Sequence, residues 1–305
     1  MPSRRAGSAA MSYRPFLLMT GTARRTELWR LIIGLCLIVL VAFALPQGIF
    51  AVISILVPAE TSRAFLTGLQ QGDTPATLLV LLLAMGTLGI GTIAATQLIH
   101  HRRARSLFGP LPMAVRQFVR VFLAVGLLYL VIGALPPWDM VQDLQPGLTL
   151  GPWLALLPLT LAALLIQTGS EELLFRGYLQ SQLAARLPHP AVWLIAPSAL
   201  FALGHWTPAT YGGNAWLVMA WAFAFGLAAA DLTARSGTLG PAIALHMLNN
   251  LVAIALISPQ GTMSGLALYQ LPFGAGDEEA IRALLPLDLA SIGLSWLAAR
   301  IALRA

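Results

Sequence analysis

Residues 77–99 read TLLVLLLAMGTLGIGTIAATQLI and contain no charged side chain. A membrane-spanning helix needs about 20 consecutive, mostly apolar residues, and this stretch meets that requirement. The chain has eight segments of this kind, which are residues 31–57, 77–99, 118–136, 152–170, 191–205, 215–230, 238–257 and 284–303. The sequence therefore predicts an all-α, polytopic membrane protein with about eight transmembrane helices.

The composition supports a membrane location. Hydrophobic residues make up 58% of the 305 residues and charged residues only 10%, whereas soluble domains carry about 25% charged residues. So few charges cannot cover the surface of a water-soluble domain. The single cysteine, Cys36, excludes both an intrachain disulfide and a cysteine-based zinc site.

The basic residues, all of them arginine, predict the orientation. If the N-terminus is cytoplasmic, every arginine except Arg63 and Arg282 falls on the cytoplasmic side of an eight-helix arrangement, as the positive-inside rule expects. Both termini are then cytoplasmic. Residues 1–30 form a basic cytoplasmic or interfacial arm, and residues 31–305 form a single transmembrane domain. Membrane anchoring explains the net charge of +6, so no nucleic-acid partner is predicted.

Ionisable residues at membrane depth are costly and are candidates for function. The first group is EELLFR at residues 171–176. On a helix Glu172 and Arg176 are i,i+4 neighbours that can pair. Glu171 points about 100° away, which leaves its carboxylate available for acid–base work. The alternative is an ordinary salt bridge at an interfacial helix end.

Two further polar groups follow on later apolar segments. His205 closes the run FALGH at residues 201–205, where a packing role is the alternative. The run HMLNN at residues 246–250 places His246 and Asn250 on one helix face, with Asn249 nearby. Such side chains must face protein or a water-filled cavity, and hydrogen bonding between helices is the alternative to catalysis.

Together these residues are the parts of a hydrolytic site. A glutamate can take a proton from water, and a histidine can orient that water or bind a metal that acidifies it. Histidine and asparagine can donate hydrogen bonds to an oxyanion. A zinc site formed by His205, His246 and Glu171 is one alternative, and a metal-free site holding only water is the other.

Other polar residues do not converge in the same way. Gln97 and Gln167 are interpreted as isolated neutral amides. Asp231 and Arg235 are interpreted as a solvated i,i+4 pair at a cytoplasmic helix boundary.

The three motifs, Glu-Glu-x-x-x-Arg, Phe-x-x-x-His and His-x-x-x-Asn, occur in this order on consecutive hydrophobic segments. The sequence resembles the CPBP group of intramembrane proteases, also called the Abi or CAAX-protease type 2 family. The motifs cover about residues 165–255, the expected core of a single protease domain, and the eight-helix layout extends the resemblance to the whole chain.

The resemblance implies a glutamate-dependent endopeptidase of a family usually grouped with metalloproteases. Glu171 would be the base that activates water, and His205 would hold that water or a metal. His246 and Asn250 would stabilise the oxyanion, while Glu172 and Arg176, with Asn249, would support them. Eukaryotic members trim prenylated CAAX proteins, and bacterial members are linked to bacteriocin processing, immunity and the maturation of membrane-bound regulators.

We therefore predict an intramembrane endopeptidase of the bacterial inner membrane, acting on a peptide or membrane-anchored protein in contact with lipid. A non-catalytic immunity or binding protein on the same scaffold and a small-molecule transporter are the alternatives. One geometric conflict remains, because segment ends at residues 170 and 205 place Glu171 and His205 at different depths. We expect residues 171–187 to dip into a cavity or the fifth helix to be steeply inclined.

Overall fold

The computed structural model describes residues 12–136 and 142–304. Residues 1–11 of the predicted basic arm lie outside this part. The main helices are α1 (Leu28–Leu56), α2 (Ala59–Gln71), α3 (Pro75–Leu98, interrupted at Met85), α4 (Leu111–Ala134), α5 (Leu150–Glu172), α6 (Pro190–Leu203), α7 (Ala215–Ser236), α8 (Gly240–Asn250) and α9 (Glu278–Leu303).

All eight predicted apolar segments lie in apolar helices. Six of these helices are long and apolar enough to cross a membrane: α1, α3, α4, α5, α7 and α9, together with the turns that continue them. The other two, α6 and the helix at Gly240–Leu256, are shorter. The multi-pass, mainly helical architecture is confirmed, while the number of eight spans stays a prediction.

The helix that contains Glu171 does not end at residue 170. From α5 it continues through a π-helical stretch, Leu173–Gln180, and a further turn, Ser181–Arg186. At 1.5 Å per residue, Glu171 lies about 22 Å before Arg186. The expected helix after residue 170 is therefore present, and its polar residues are buried against neighbouring helices; Arg176, Gln180 and Ser181 have no exposed surface.

Two π-helical stretches begin directly after motif residues. One follows Glu172, and the other, Leu251–Leu256, follows Asn250. Such stretches are rare and occur often at functional sites, because they widen the helix and turn neighbouring side chains. In this fold they change the helical twist next to both motifs.

A small sheet lies beside the helices and was not predicted. Strand β1 (Gln145–Pro146) pairs antiparallel with β3 (Tyr269–Gly274), and β2 (Ile257–Gln260) pairs parallel with β3 on its other edge. The strand order is β1–β3–β2. Helix α2 was also not predicted, because its sequence, AETSRAFLTGLQQ, is too short and too polar for a membrane span.

Helix α8 lies at the centre of the fold. Every residue from Gly240 to Leu248 is buried, and the helix packs against α4, α5 and α7. Gly240 permits this packing, because a Cβ atom there would lie 2.0 Å from the carbonyl oxygen of Ala114. The central position of α8 holds His246 away from lipid.

The described part of the N-terminal arm docks onto the helices. Phe16 and Met19 are buried, and the Tyr13 hydroxyl donates to Asp231 Oδ1 over 2.7 Å. Burial and this hydrogen bond raise the pKa of Tyr13 to about 12. The Asp231–Arg235 pair is present and partly buried, with 20% of the Arg235 side chain and 15% of the Asp231 side chain exposed. Asp231 also accepts from Trp296 Nε1 over 2.9 Å.

Candidate active site

Glu172 is a buried anchor that connects α5 to α8. Its Oε1 atom accepts a hydrogen bond from Arg176 Nη1 over 2.9 Å and lies 2.8 Å from His246 Nδ1. A carboxylate only accepts hydrogen bonds, so Nδ1 of His246 carries the proton in this contact. The ring is thereby oriented with Nε2 towards Glu171.

The cation of Arg176 is buried and held from several directions. Its Nη2 atom donates to the carbonyl oxygen of Gly226 in α7 over 3.1 Å, and its guanidinium lies 4.8 Å from the ring centroid of Phe201 in α6. A buried charge is costly unless it is paired and hydrogen-bonded. Arg176 is paired with Glu172 and hydrogen-bonded through both Nη atoms, while its Nε has no partner among the described residues. These contacts hold the helix after α5 against α6 and α7.

Glu171 has one oxygen that is held and one that is available. Oε1 accepts a hydrogen bond from Gln167 Nε2 over 2.9 Å. Oε2 is buried, has no hydrogen-bond partner among the described residues, and lies 3.6 Å from His246 Nε2. A buried acceptor without a partner calls for a functional explanation. This oxygen can accept a proton from a water molecule.

Asn250 joins the same group through an amide chain. Its Nδ2 atom donates to Gln167 Oε1 over 2.8 Å, and the Asn249 amide donates to Asn250 Oδ1 over 3.4 Å. An asparagine amide has two N–H donors. One is committed to Gln167, and the second is left to bind another acceptor.

His205 lies just beyond the end of α6. The ring of Phe201 lies between His205 and His246 and contacts both. The ring centroids of Phe201 and His205 are 4.5 Å apart, and those of Phe201 and His246 are 5.9 Å apart. Among the described residues His205 makes no hydrogen bond to the other predicted site residues. Its Nδ1 atom donates to the Phe201 carbonyl over 2.9 Å, which leaves the Nε2 lone pair as an acceptor.

The predicted zinc ligands are not gathered into a coordination site. In residues 12–136 and 142–304, no three side chains of the His, Cys, Asp or Glu type form a group that could hold a metal ion. His246 has a carboxylate at each ring nitrogen, and His205 is separated from it by Phe201. In this arrangement the three side chains do not form a three-ligand zinc site. Zinc binding stays a prediction.

Sequence reasoning missed the role of Gln167. It lies one helical turn before Glu171, and that i,i+4 spacing was the available signal. Its amide contacts both Glu171 and Asn250. Phe225 was also missed; its ring centroid lies 4.9 Å from that of His246, and nothing in its sequence context marked it.

A sequence model of one protein family, described as type II CAAX prenyl endopeptidase Rce1-like, matches residues 152–252. The matched segment is Rce1-like. It includes every predicted site residue and covers about one third of the chain, and the predicted resemblance to the CPBP group is confirmed. No curated protein and no solved structure matches the chain. The family description implies a membrane-embedded protease.

A large apolar cavity lies outside the site around Glu171. It has a volume of about 940 Å³ and lies between α1, α3 and α5, where Gly169, Ser170 and Leu173 form part of its wall. At 100° per residue, Gly169 and Leu173 lie about 160° around the helix from Glu171 and Ser170 about 100°, and Glu171 does not line the cavity. The cavity therefore does not open onto the Glu171 carboxylate.

Two side chains outside the membrane-spanning segments, Arg102 and His100, contact the helix that continues from Glu171. Arg102 donates from Nη1 to Ser181 Oγ over 2.7 Å and from Nη2 to the Met19 carbonyl over 2.9 Å. Burial lowers the pKa of Arg102 to about 10. His100 Nε2 lies 2.7 Å from the Tyr178 hydroxyl. These contacts hold the helix that continues from Glu171.

Proposed function

We propose that this protein is an intramembrane endopeptidase in which Glu171 activates water to hydrolyse a peptide bond. The observation that carries the proposal is the asymmetry of the Glu171 carboxylate. Oε1 is held by Gln167, whereas Oε2 lies 3.6 Å from His246 Nε2 with no hydrogen-bond partner among the described residues. A general base needs this kind of positioned and unoccupied oxygen.

In the proposed reaction, Glu171 Oε2 takes a proton from water while the water oxygen forms a bond to the scissile carbonyl carbon. The second N–H of Asn250 and a protonated His246 Nε2 donate hydrogen bonds to the resulting oxyanion. The C–N bond then breaks, and Glu171 returns the proton to the leaving amine. Every proton is accounted for within Glu171, the water and the substrate.

Glu172 and Arg176 act through His246 in this scheme. The Glu172 carboxylate accepts a hydrogen bond from Nδ1–H, which fixes the ring orientation with Nε2 towards Glu171. Arg176 fixes that carboxylate. We propose that His205 binds the water or the substrate, because its Nε2 lone pair can accept a hydrogen bond. No step is assigned to a metal.

The proposed substrate is a peptide or protein that is held at the membrane, because the site lies within apolar helices. We place the protein in a bacterial inner membrane with both termini in the cytoplasm, where the arginine-rich loops fall. Prenylation of the substrate is not part of the proposal. A binding or immunity role on this scaffold is the alternative, and it requires no cleavage.

The test detects new amino termini. Purified protein in liposomes is mixed with solubilised host membrane proteins, and the α-amino groups that appear are labelled and identified by mass spectrometry. We expect a defined set of termini from the native protein and from Glu60→Gln, a control on α2, and their absence with Glu171→Gln. Identical sets from the native protein and Glu171→Gln would refute the proposal and favour the non-catalytic alternative.

A further inference from the structure

A second pocket, of about 580 Å³, lies between α4 and the end of α9. Two of the residues that line it are arginines, Arg120 and Arg304, and the others are apolar: Leu123, Ala124, Leu127 and Ala302. None of these residues belongs to the site around Glu171. The pocket therefore requires an explanation of its own.

The two arginines lie at the same level of the molecule. Helices α4 and α9 run antiparallel, and the Ser295 hydroxyl contacts the Tyr129 hydroxyl over 3.1 Å. Arg120 lies nine residues before Tyr129, and Arg304 lies nine residues after Ser295. Since each residue advances a helix by about 1.5 Å, the two residues reach one height, where α9 ends.

Neither guanidinium is neutralised by a residue that the structure describes. The side chains of Arg120 and Arg304 make no ion pair and no hydrogen bond with any residue in the described ranges 12–136 and 142–304. By contrast, Arg176 and Arg235 are each paired with an acid. Two adjacent cations without an acid attract an anion, and the planar guanidinium group matches the geometry of phosphate.

The surface next to the arginines is apolar and faces outwards. Leu123 is 65% exposed and Leu127 is 62% exposed, and their i,i+4 spacing makes them one stripe along α4. A free anion would gain nothing from this stripe. A lipid uses both parts, since basic pockets between transmembrane helices at the cytoplasmic side bind anionic headgroups.

We propose that this pocket binds an anionic phospholipid. The phosphate lies between Arg120 and Arg304, and one acyl chain lies along Leu123 and Leu127. Both α4 and α9 pack in the same apolar core as α8, the helix that carries His246. Lipid binding therefore stabilises the helices around the proposed catalytic site.

The test measures binding of dioleoylphosphatidylglycerol to the detergent-solubilised full chain by native mass spectrometry and by the shift in melting temperature. We expect Arg120→Gln combined with Arg304→Gln to weaken binding by about tenfold or more, from the contribution of two basic residues. The matched control is Arg103→Gln combined with Arg105→Gln, which removes the same charge from exposed positions and should leave binding within about twofold.

Three results would overturn the proposal. One is an equal loss of binding in the control, which would indicate general surface attraction. Another is equal binding of dioleoylphosphatidylcholine. The third is equal stabilisation by inorganic phosphate or by short-chain dihexanoylphosphatidylglycerol, which would indicate an anion site without an acyl-chain contact.

Discussion

Gln167 lies one helical turn before Glu171 and donates a hydrogen bond from Nε2 to Glu171 Oε1 over 2.9 Å. The same amide accepts from Asn250 in α8. Because both ends of the amide are engaged, Gln167 sets the distance between the proposed base and the proposed oxyanion donor. Removal of the Gln167 amide should shift the positions of Glu171 and Asn250 but leave both functional groups present.

We expect Gln167→Ala to lower kcat by about tenfold to a hundredfold, since a small misplacement of reacting groups has effects of that size. KM should change little if the amide does not touch the substrate. Gln97→Ala is the control, because Gln97 is an exposed amide on α3. Steady-state kinetics on a peptide that spans a cleavage site identified for the native protein provides the measurement. An unchanged kcat would show that the amide chain has no positioning role.

Substitution of Glu171 and Glu172 by glutamine, one at a time, should separate the effect on catalysis from the effect on stability. Glu171→Gln removes the proposed base, so activity should fall by about 10²–10⁴-fold with little change in melting temperature. Glu172→Gln leaves the buried Arg176 cation without its counterion, which should lower the free energy of unfolding by roughly 3–5 kcal/mol. Thermal unfolding and activity are measured on both variants. A stable Glu172→Gln protein would contradict the structural role of this residue.

The approach of α1 to the helix after Glu171 depends on Gly34. A Cβ atom there would lie 1.9 Å from the Tyr178 hydroxyl oxygen, which contacts His100. We expect Gly34→Ala to displace Tyr178 and to lower the free energy of unfolding by about 1–3 kcal/mol, as overpacking does. Gly126→Ala is the control, since no atom lies within 4 Å of its added Cβ. Equal melting temperatures of the two variants would contradict the tight contact.

Stability should depend on pH through His100. Burial lowers the pKa of His100 from its ordinary value of 6.5, so below that pH the unfolded chain binds a proton more readily than the folded one. The stabilising contribution is present above pH 6.5 and is lost as the pH falls. Melting temperatures at about pH 7.5 and pH 5 should therefore differ less in His100→Gln than in the native protein.

His101→Gln is the matched control for this pH dependence, because His101 is the exposed neighbour of His100. It should keep the full difference between the two melting temperatures. If His100→Gln shows the same difference as the native protein, His100 does not contribute to the loss of stability in acid.

The sequence by itself determined the membrane class, the positions of the apolar helices and the motif residues. Uncharged stretches such as residues 77–99 have one stable location, which is the lipid core. Costly polar groups such as Glu171 and His246 stand out against that background. The i,i+4 pairing of Glu172 with Arg176 also followed from helical spacing, which is a local property of the chain.

Only the tertiary structure decided how these helices meet. Composition showed that the apolar segment ends near residue 170, but only packing shows that the polar side chains after it are buried against α3, α6 and α7 in a helix that runs on to Arg186. The bridge from Glu171 through Gln167 to Asn250 joins residues 79 positions apart. Contacts of that separation depend on packing between helices, which periodicity within one helix does not encode.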